Sequence, residues 1–362
     1  MNKKKLTALC VSAIMAVSVF AGCGSSQQQG GSGSSTAKTV KVGLVTDEGG
    51  LNDKSFNESA DKGIKKAKDE LKNIDYKAIE SKKKDEYQPN LQALVDNKSD
   101  IVFGIGYQMS DQVTDIAKKY PDKKFAIIDS IVNQKNVVSL TFKEEEGSFL
   151  VGLIAGKTTK ANKIGFIGGK DVDLINKFAA GYMAGAKTVN PNVQFDIRYA
   201  NDYANPTKGE ELATSMYNGG CDVIYHAAGG TGLGLFKATK NMTKPDKKLW
   251  AIGVDQDQAV GIVDSQKKPL YEDVILTSMM KRVDTATYDT LKSLVKDSKF
   301  AGGTNKVYGL KENGVDIAPS SNKNVPKDIL DLVQKYKTAI IDGKIKVPTT
   351  KEEAAKFVAP TI

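Results

Sequence analysis

From Lys38 onward, short runs of β-branched and other apolar residues recur along the chain, each bounded by Gly, Asp or Asn. They are Val40–Val45, Ile101–Gly104, Lys124–Ile128, Val137–Leu140, Lys163–Ile167, Val193–Tyr199, Asp222–Tyr225, Leu249–Val254 and Val274–Thr277. Between most of them lie longer stretches of helical periodicity, such as Ser55–Leu71, Ser110–Lys119, Glu144–Lys157, Leu174–Val189, Lys208–Tyr217 and Gly234–Lys240. The short runs predict strands buried on both faces, and the longer ones predict helices with an apolar stripe. Their alternation predicts an α/β fold, with parallel sheets covered by helices on both sides. About ten strands exceed one comfortable parallel sheet, so two α/β lobes are expected.

Before Lys38 the pattern changes. Lys3, Lys4 and Lys5 precede an apolar stretch from Leu6 to Ala21, which reads as a secretory signal peptide rather than a membrane span. It ends in Phe20-Ala21-Gly22-Cys23, which resembles a bacterial lipobox, with Phe20 where Leu is usual. Residues 1–22 are therefore expected to be removed and Cys23 to carry lipid. Residues 24–37, GSSQQQGGSGSSTA, contain nothing large enough to build a core and read as a flexible tether. Residues 23–37 would then hold the folded part on the outer face of a membrane through acyl chains.

Composition narrows the chemistry. The 362 residues are 40% hydrophobic and 26% charged, ordinary for a globular protein of about two domains. Loss of the three signal lysines would lower the formal charge from +9 to +6. Lys65-Lys66, Lys82–Lys84 and Lys267-Lys268 are scattered and lack interleaved aromatics, so they read as solvated surface and not as a nucleic-acid footprint. A single histidine, His226, excludes a multi-His metal centre within one chain and reads as packed at a strand end. Of three cysteines, Cys10 would leave with the signal and Cys23 would be lipidated. Cys221, just before Val223-Ile224-Tyr225, then reads as a buried structural thiol. No metal constellation, cofactor motif or nucleophile–base pair stands out.

Three apolar runs end in aspartate: Val42 to Asp47, Phe125 to Asp129, and Trp250 to Asp255. In open parallel sheets the ligand crevice lies outside the carboxyl ends of the strands. Such aspartates are either turn and cap residues or carboxylates aimed at a ligand. Gly229-Gly230-Thr231-Gly232-Leu233-Gly234 follows one strand and opens a helix. It lacks both the dinucleotide spacing and the Lys-Ser/Thr of a P-loop, which favours close backbone approach to a neutral ligand or a structural turn over phosphate cradling.

Residues 42–60, VGLVTDEGGLNDKSFNESA, resemble the opening of the basic membrane protein family, bacterial lipoproteins that serve ABC-type importers and are related to a purine nucleoside receptor. Further matches are FAIIDS at 125–130, VVSLTFKEEEGSFLVG at 137–152, VIYHAAGGTGLG at 223–234, IGVDQ at 252–256 and LTSMMKRVD at 276–284. The resemblance spans essentially the whole chain after the tether. It implies a type I periplasmic-binding fold, two Rossmann-like lobes joined by three crossovers and closing over a ligand. The N-terminal lobe is expected to comprise 38–141 and 278–302, and the C-terminal lobe 142–277 and 303–362.

The resemblance also implies a purine nucleoside, such as guanosine, adenosine or inosine, sandwiched between two aromatic rings. The rings map to Phe56 and to Tyr203, where relatives often carry Phe, with Phe178 as a rival wall residue. Asp47 and Asp129 map to base-side or first-lobe contacts, Asp255 and Lys281 to the ribose, and Gly229 to backbone polar contacts. Lys281 is expected to pair with Asp255. Outside the family pattern, Lys281 would read as a surface lysine and Phe56 as core. The expected partners are the ligand, an ABC permease and its ATPase, and the membrane through the lipid anchor, with the protein itself a monomer and not an enzyme. A receptor for a sugar or other small ligand on the same fold is the alternative, an exported nucleoside hydrolase a lesser one, and a surface protein that signals or adheres shares the same features.

Overall fold

The structure, a computed structural model, describes residues 39–360 and 362. The expected signal peptide, lipid-bearing Cys23 and tether fall outside the described residues. The first sheet is built from β1 (Val40–Val45), β2 (Ile74–Ile79), β3 (Ile101–Ile105), β4 (Lys124–Ile128) and β5 (Val137–Phe142), with α1 (Phe56–Leu71), α2 (Tyr87–Asp96) and α3 (Ser110–Lys119) between strands. The chain then runs through α4 (Glu144–Thr158), β6 (Lys163–Gly168), α5 (Asp173–Val189), β7 (Gln194–Tyr199), α6 (Pro206–Asn218) and β8 (Val223–Ala227). It continues with α7 (Leu233–Met242), β9 (Trp250–Asp255), α8 (Gln258–Gly261) and β10 (Ile275–Lys281). The last elements are α9 (Val283–Lys296), β11 (Thr304–Tyr308), β12 (Val315–Ile317), α10 (Lys327–Ile341) and α11 (Lys351–Lys356).

Two six-stranded sheets result, ordered β11-β5-β4-β3-β1-β2 and β12-β10-β9-β8-β6-β7. The orders match position for position, so the second lobe repeats the first. All pairings are parallel except β10 with β12. Every residue of β3 and of β8 is buried, because helices cover both faces of the central strands. The chain passes between sheets three times, at Phe142–Glu144, Lys281–Val283 and Tyr308–Val315.

These crossings redraw the expected lobe boundaries. Residues 278–281 complete β10 and pair with β9 and β12, so they belong to the second sheet rather than to the N-terminal lobe. Residues 304–308 form β11 and pair in parallel with β5, from Thr304 against Val138 to Tyr308 against Phe142, so they belong to the first sheet. The TNKVY run is an edge strand whose polar side chains are largely exposed, which is why its pattern reads as loop. The polar alternation of IDYKAI in β2, also an edge, concealed that strand in the same way.

Helix α4 is buried along most of its length and packs against α5. Glycines let the two backbones touch: a β-carbon on Gly185 would lie 2.0 Å from the Phe149 carbonyl oxygen, and one on Gly181 2.2 Å from that of Glu145. Neither neighbour is a flexible side chain that could yield. Gly185→Val is therefore expected to destabilise the protein by about 1–3 kcal/mol or more through overpacking. The check is the denaturant midpoint of the variant, and an unchanged midpoint would mean that α4 and α5 can separate without cost.

Candidate ligand-binding site

The three strand-end aspartates converge. Asp47 follows β1, Asp129 follows β4 and Asp255 ends β9, and all three line one cavity between the sheets. Asp129 and Asp255 stand at equivalent places in the two lobes, and both adopt left-handed backbone, at φ 65° and 66°. Aspartate tolerates that conformation better than most residues. Phe56, Phe178, Tyr203, Gly229 and Lys281 line the same cavity, so every site residue expected from the sequence is brought together there. The cavity is narrow, with a volume of about 50 Å³.

Lys281 ends β10 and is buried, with 2% of its side chain exposed. Its Nζ lies 2.6 Å from Asp129 Oδ2 and 3.2 Å from Glu144 Oε1. The ring centroids of Phe142, Phe56 and Phe178 lie 5.0, 5.1 and 5.5 Å from the same nitrogen, within cation–π range. Burial opposes the charge of Lys281, but the attraction of Asp129, Glu144 and Asp255 outweighs it and holds the ammonium above the usual lysine range. Burial likewise pushes the Asp129 carboxyl up, while Lys281 pulls it back down. With 2.6 Å between them, this pair is ionised at neutral pH.

The expected pairing of Lys281 with Asp255 is corrected here, because Asp255 Oδ2 instead accepts from the Ser55 hydroxyl of the opposite lobe. Glu144, at the first crossover, takes that place beside the lysine, and its other oxygen lies 3.6 Å from Lys177. Sequence reading passed over Glu144 because it begins a Glu-Glu-Glu run that serves equally well as the acidic first turn of α4.

The loop into α1 supplies the first lobe's polar wall. Asp53 accepts from the backbone N–H groups of Ser55 (3.0 Å), Asn57 (2.8 Å) and Glu58 (3.1 Å), capping the helix. Asn57, which the sequence did not single out, donates to Asp47 Oδ1 at 2.7 Å and to Asp53 Oδ2 at 3.0 Å. Its place one residue after Phe56 in the NDKSFN run was the available signal. Burial pushes the Asp47 carboxyl up to about 7 even against these hydrogen bonds, and pushes Asp53 upward as well. Asp255 is likewise pushed up to about 7 by burial, opposed by Lys281 and Ser55.

Tyr203 forms the second lobe's aromatic wall. Its ring packs against Gly169, where a β-carbon would sit 2.0 Å from a ring carbon. Lys170 Nζ stands 5.3 Å from the ring centroid and bonds Gln108 across the cleft at 2.9 Å. The Tyr203 hydroxyl is 3.4 Å from that of Tyr107, in the first lobe. Gly229, at φ 53°, brings backbone into the cavity wall beside Tyr203.

Among the described residues lining the cavity, Asp47, Asp53, Asp129 and Asp255 face one ammonium, that of Lys281. Such a surface accepts hydrogen bonds far more than it donates them, and suits a flat ligand rich in N–H and O–H groups. His226 and Cys221 do not line it. Burial drives the His226 imidazole down to about 4 and raises the Cys221 thiol to about 11. Among the described residues, no helix is long and apolar enough to cross a membrane.

Comparison with known proteins gives a consistent result. Residues 40–351 match the family model described as ABC transporter substrate-binding protein PnrA-like. The chain is 45% identical over 356 residues to a protein of Listeria innocua named CD4+ T-cell-stimulating antigen, covering 96% of this chain and 99% of that one. It is 41% identical over 355 residues to the ABC transporter nucleoside-binding protein BmpA of Lactococcus lactis, with the same coverage. Among solved structures, an ABC transporter solute-binding protein of Aeropyrum pernix is similar at a TM-score of 0.76 and 27% identity, over 88% of this chain and 96% of that one.

The buried carboxyls also set a pH dependence. Asp47 and Asp255 rise from 3.8 to about 7 on folding, so between those values the folded chain holds protons that the unfolded chain has released. Their contribution to stability is fully present below about pH 4 and is lost as pH rises through about 7. For the ligand-free protein, the denaturant midpoint is expected to fall between about pH 5 and about pH 7.5. A chain carrying Asp47→Asn and Asp255→Asn should show a smaller fall, and equal falls in the two proteins would refute the assignment.

Proposed function

The chain belongs to the PnrA-like family of ABC transporter substrate-binding proteins, and on that premise we propose that it captures purine nucleosides between its lobes and delivers them to a membrane permease and its ATPase. Guanosine, adenosine and inosine are the expected ligands. The carrying observation is that Phe56 of the first lobe and Tyr203 of the second wall one narrow cavity ringed by carboxylates. The name of the Lactococcus relative supports the same ligand class. A purine offers two π faces for stacking and a polar edge for carboxylates. Stacking on one aromatic contributes about 1–3 kcal/mol per base, and each hydrogen bond to a charged group about 1.5–3 kcal/mol.

In this reading Phe56 and Tyr203 stack on the base, Phe178 closes the wall, and Asp47 and Asp129 take the donors of the base edge. Asp129 Oδ1 is buried without a hydrogen-bond partner, an acceptor suited to that task. Gly229 lends backbone polar groups. Asp255 and Lys281 hold the ribose: Asp255 keeps one oxygen beyond its bond to Ser55, and Lys281 keeps protons beyond the one it donates to Asp129. The protein binds without turnover, and it is held on the extracytoplasmic face of the membrane by lipid on Cys23.

Calorimetric titration with guanosine, adenosine and their free bases tests the division of labour. Phe56→Ala should weaken every purine nucleoside by a similar factor, about 1–3 kcal/mol. Asp255→Ala should cost the nucleosides about 2–5 kcal/mol and the bases much less. Equal losses for base and nucleoside would remove Asp255 from the ribose, and intact affinities in Phe56→Ala would remove the sandwich. Appearance of free base from the nucleoside would make the protein an enzyme. For the anchor, Cys23→Ala should fold normally but leave the membrane fraction. Its retention there, with no lipid on the unaltered protein, would overturn that assignment.

A further inference from the structure

On the α1 side of the cavity the lobes are joined by residues outside the cavity lining. The end of β9 and the start of α8 read Asp255-Gln256-Asp257-Gln258, and they meet the loop Lys54-Ser55. Gln256 Nε2 donates to the Ser55 carbonyl at 2.8 Å, and Gln258 Nε2 to the Lys54 carbonyl at 2.9 Å. The receiving loop is fixed by the three N–H groups that Asp53 collects and by the left-handed backbone of Lys54, φ 54°.

Gln258 is 1% exposed, and its surroundings leave its amide one orientation. Oε1 accepts the backbone N–H of Val254 at 2.8 Å and lies 3.0 Å from His226 Nε2. The Val254 N–H identifies this atom as the amide oxygen, which only accepts, so the imidazole carries its proton on Nε2 and gives it to Gln258. The imidazole is wholly buried, and it is pressed beneath Gly232, where a β-carbon would lie 1.9 Å from the ring. With Oε1 committed to two donors of its own lobe, the Nε2 group is the part of Gln258 left for the other lobe.

We propose that Gln258, oriented by His226, is a positioning residue for ligand capture, a latch that fixes the closed pocket by holding the α1 loop without touching the ligand. His226 thereby has a task that its exclusion from the cavity would otherwise leave unexplained. The Gly229–Gly232 turn that covers its ring also carries Gly229 into the cavity wall. One strand end therefore serves both the wall and the latch.

Gln258→Glu is the test, with guanosine as the probe; the proposal rests on the nucleoside reading only for that choice. The substitution keeps Oε1 and replaces the donor by an oxygen that faces the Lys54 carbonyl. At about pH 8 the Kd for guanosine should exceed that of the unaltered protein by about 10- to 100-fold. At about pH 5.5 a buried glutamate takes up a proton and regains a donor, so the ratio of the two Kd values should fall toward one. The titratable neighbours are His226, Asp255 and Asp257, with Lys54 and Lys62 of the other lobe, and Gln258→Leu, which keeps all of them and has no titrating group at 258, reports their own share of the pH dependence. Gln258→Leu should show a loss that does not change with pH. A ratio near one for Gln258→Glu at the higher pH, or one equal at both, overturns the latch.

Should Gln258→Glu fail to fold, Gln258→Leu decides: unchanged guanosine affinity overturns the proposal. Should the unaltered protein bind no guanosine, the nucleoside reading fails, and solution scattering of the ligand-free chains then judges the latch. A larger radius of gyration for Gln258→Glu at the higher pH, converging with the unaltered protein at the lower, supports it. Superimposable profiles refute it.

Discussion

A buried ammonium at the hinge holds this molecule's site and its fold to the same geometry. Lys281 ends β10 at the second crossover, Glu144 stands at the first, and Asp129 closes a strand of the first sheet. Removing one partner of such a cluster leaves an uncompensated charge in a dry interior, typically a loss of about 3–5 kcal/mol. The third crossover is tied to the others nearby. Lys143 donates its backbone N–H to the Tyr308 carbonyl at 3.0 Å, Leu310 its own to Glu146 at 2.8 Å, and Arg282 its own to the Gly314 carbonyl at 2.8 Å. Any change in the angle between the sheets must be absorbed around Lys281, and Lys281 also lines the cavity. Hinge and cavity wall therefore share one side chain, that of Lys281.

The cost of gathering so many carboxyls is met locally. Asp53 spends its oxygens on the N-terminus of α1, Asn57 bridges Asp53 to Asp47, and Ser55 serves Asp255. What these donors do not cover appears as the upward shift of Asp47 and Asp255 to about 7. A cavity left with unused acceptors favours partners that bring N–H and O–H groups, and it disfavours anions, since Lys281 is already shared between Asp129 and Glu144.

Much of this was legible in the chain because strand ends are marked twice, by the apolar run and by the aspartate that stops it. Asp47, Asp129 and Asp255 follow from that punctuation and from the rule that crevices open at carboxyl ends. The aromatic walls came from motif resemblance alone, since Phe56 outside its motif reads as core. What stayed hidden was what depends on three-dimensional register. Lys281 reads as a surface lysine, because nothing local reveals that β10 drives it between Asp129 and Glu144. Strands β2 and β11 were missed because edge positions expose alternate side chains and erase the apolar run. His226 read correctly as packed, but its partner Gln258 lies 32 residues away and carries no pattern of its own.

The internal repeat explains how one lysine came to hold both lobes. In the first sheet Ile128 pairs with Leu140, so Asp129 stands level with Thr141 and Phe142 comes next. In the second, Asp255 pairs with Met280 and Lys281 comes next. Phe142 and Lys281 thus occupy equivalent positions, each one residue beyond the partner of a left-handed aspartate. Had both been phenylalanine, both aspartates would face an apolar hinge without a cation. Had both been lysine, two ammonium groups would meet there. With one of each, the lysine lies 5.0 Å from the centre of its counterpart's ring and crosses to the aspartate of the opposite repeat. Asp255, released from that duty, is left to the Ser55 hydroxyl and the cavity. The asymmetry of this single pair gives one aspartate to the hinge lysine and the other to the opposite lobe's serine, in two lobes that are otherwise wound alike.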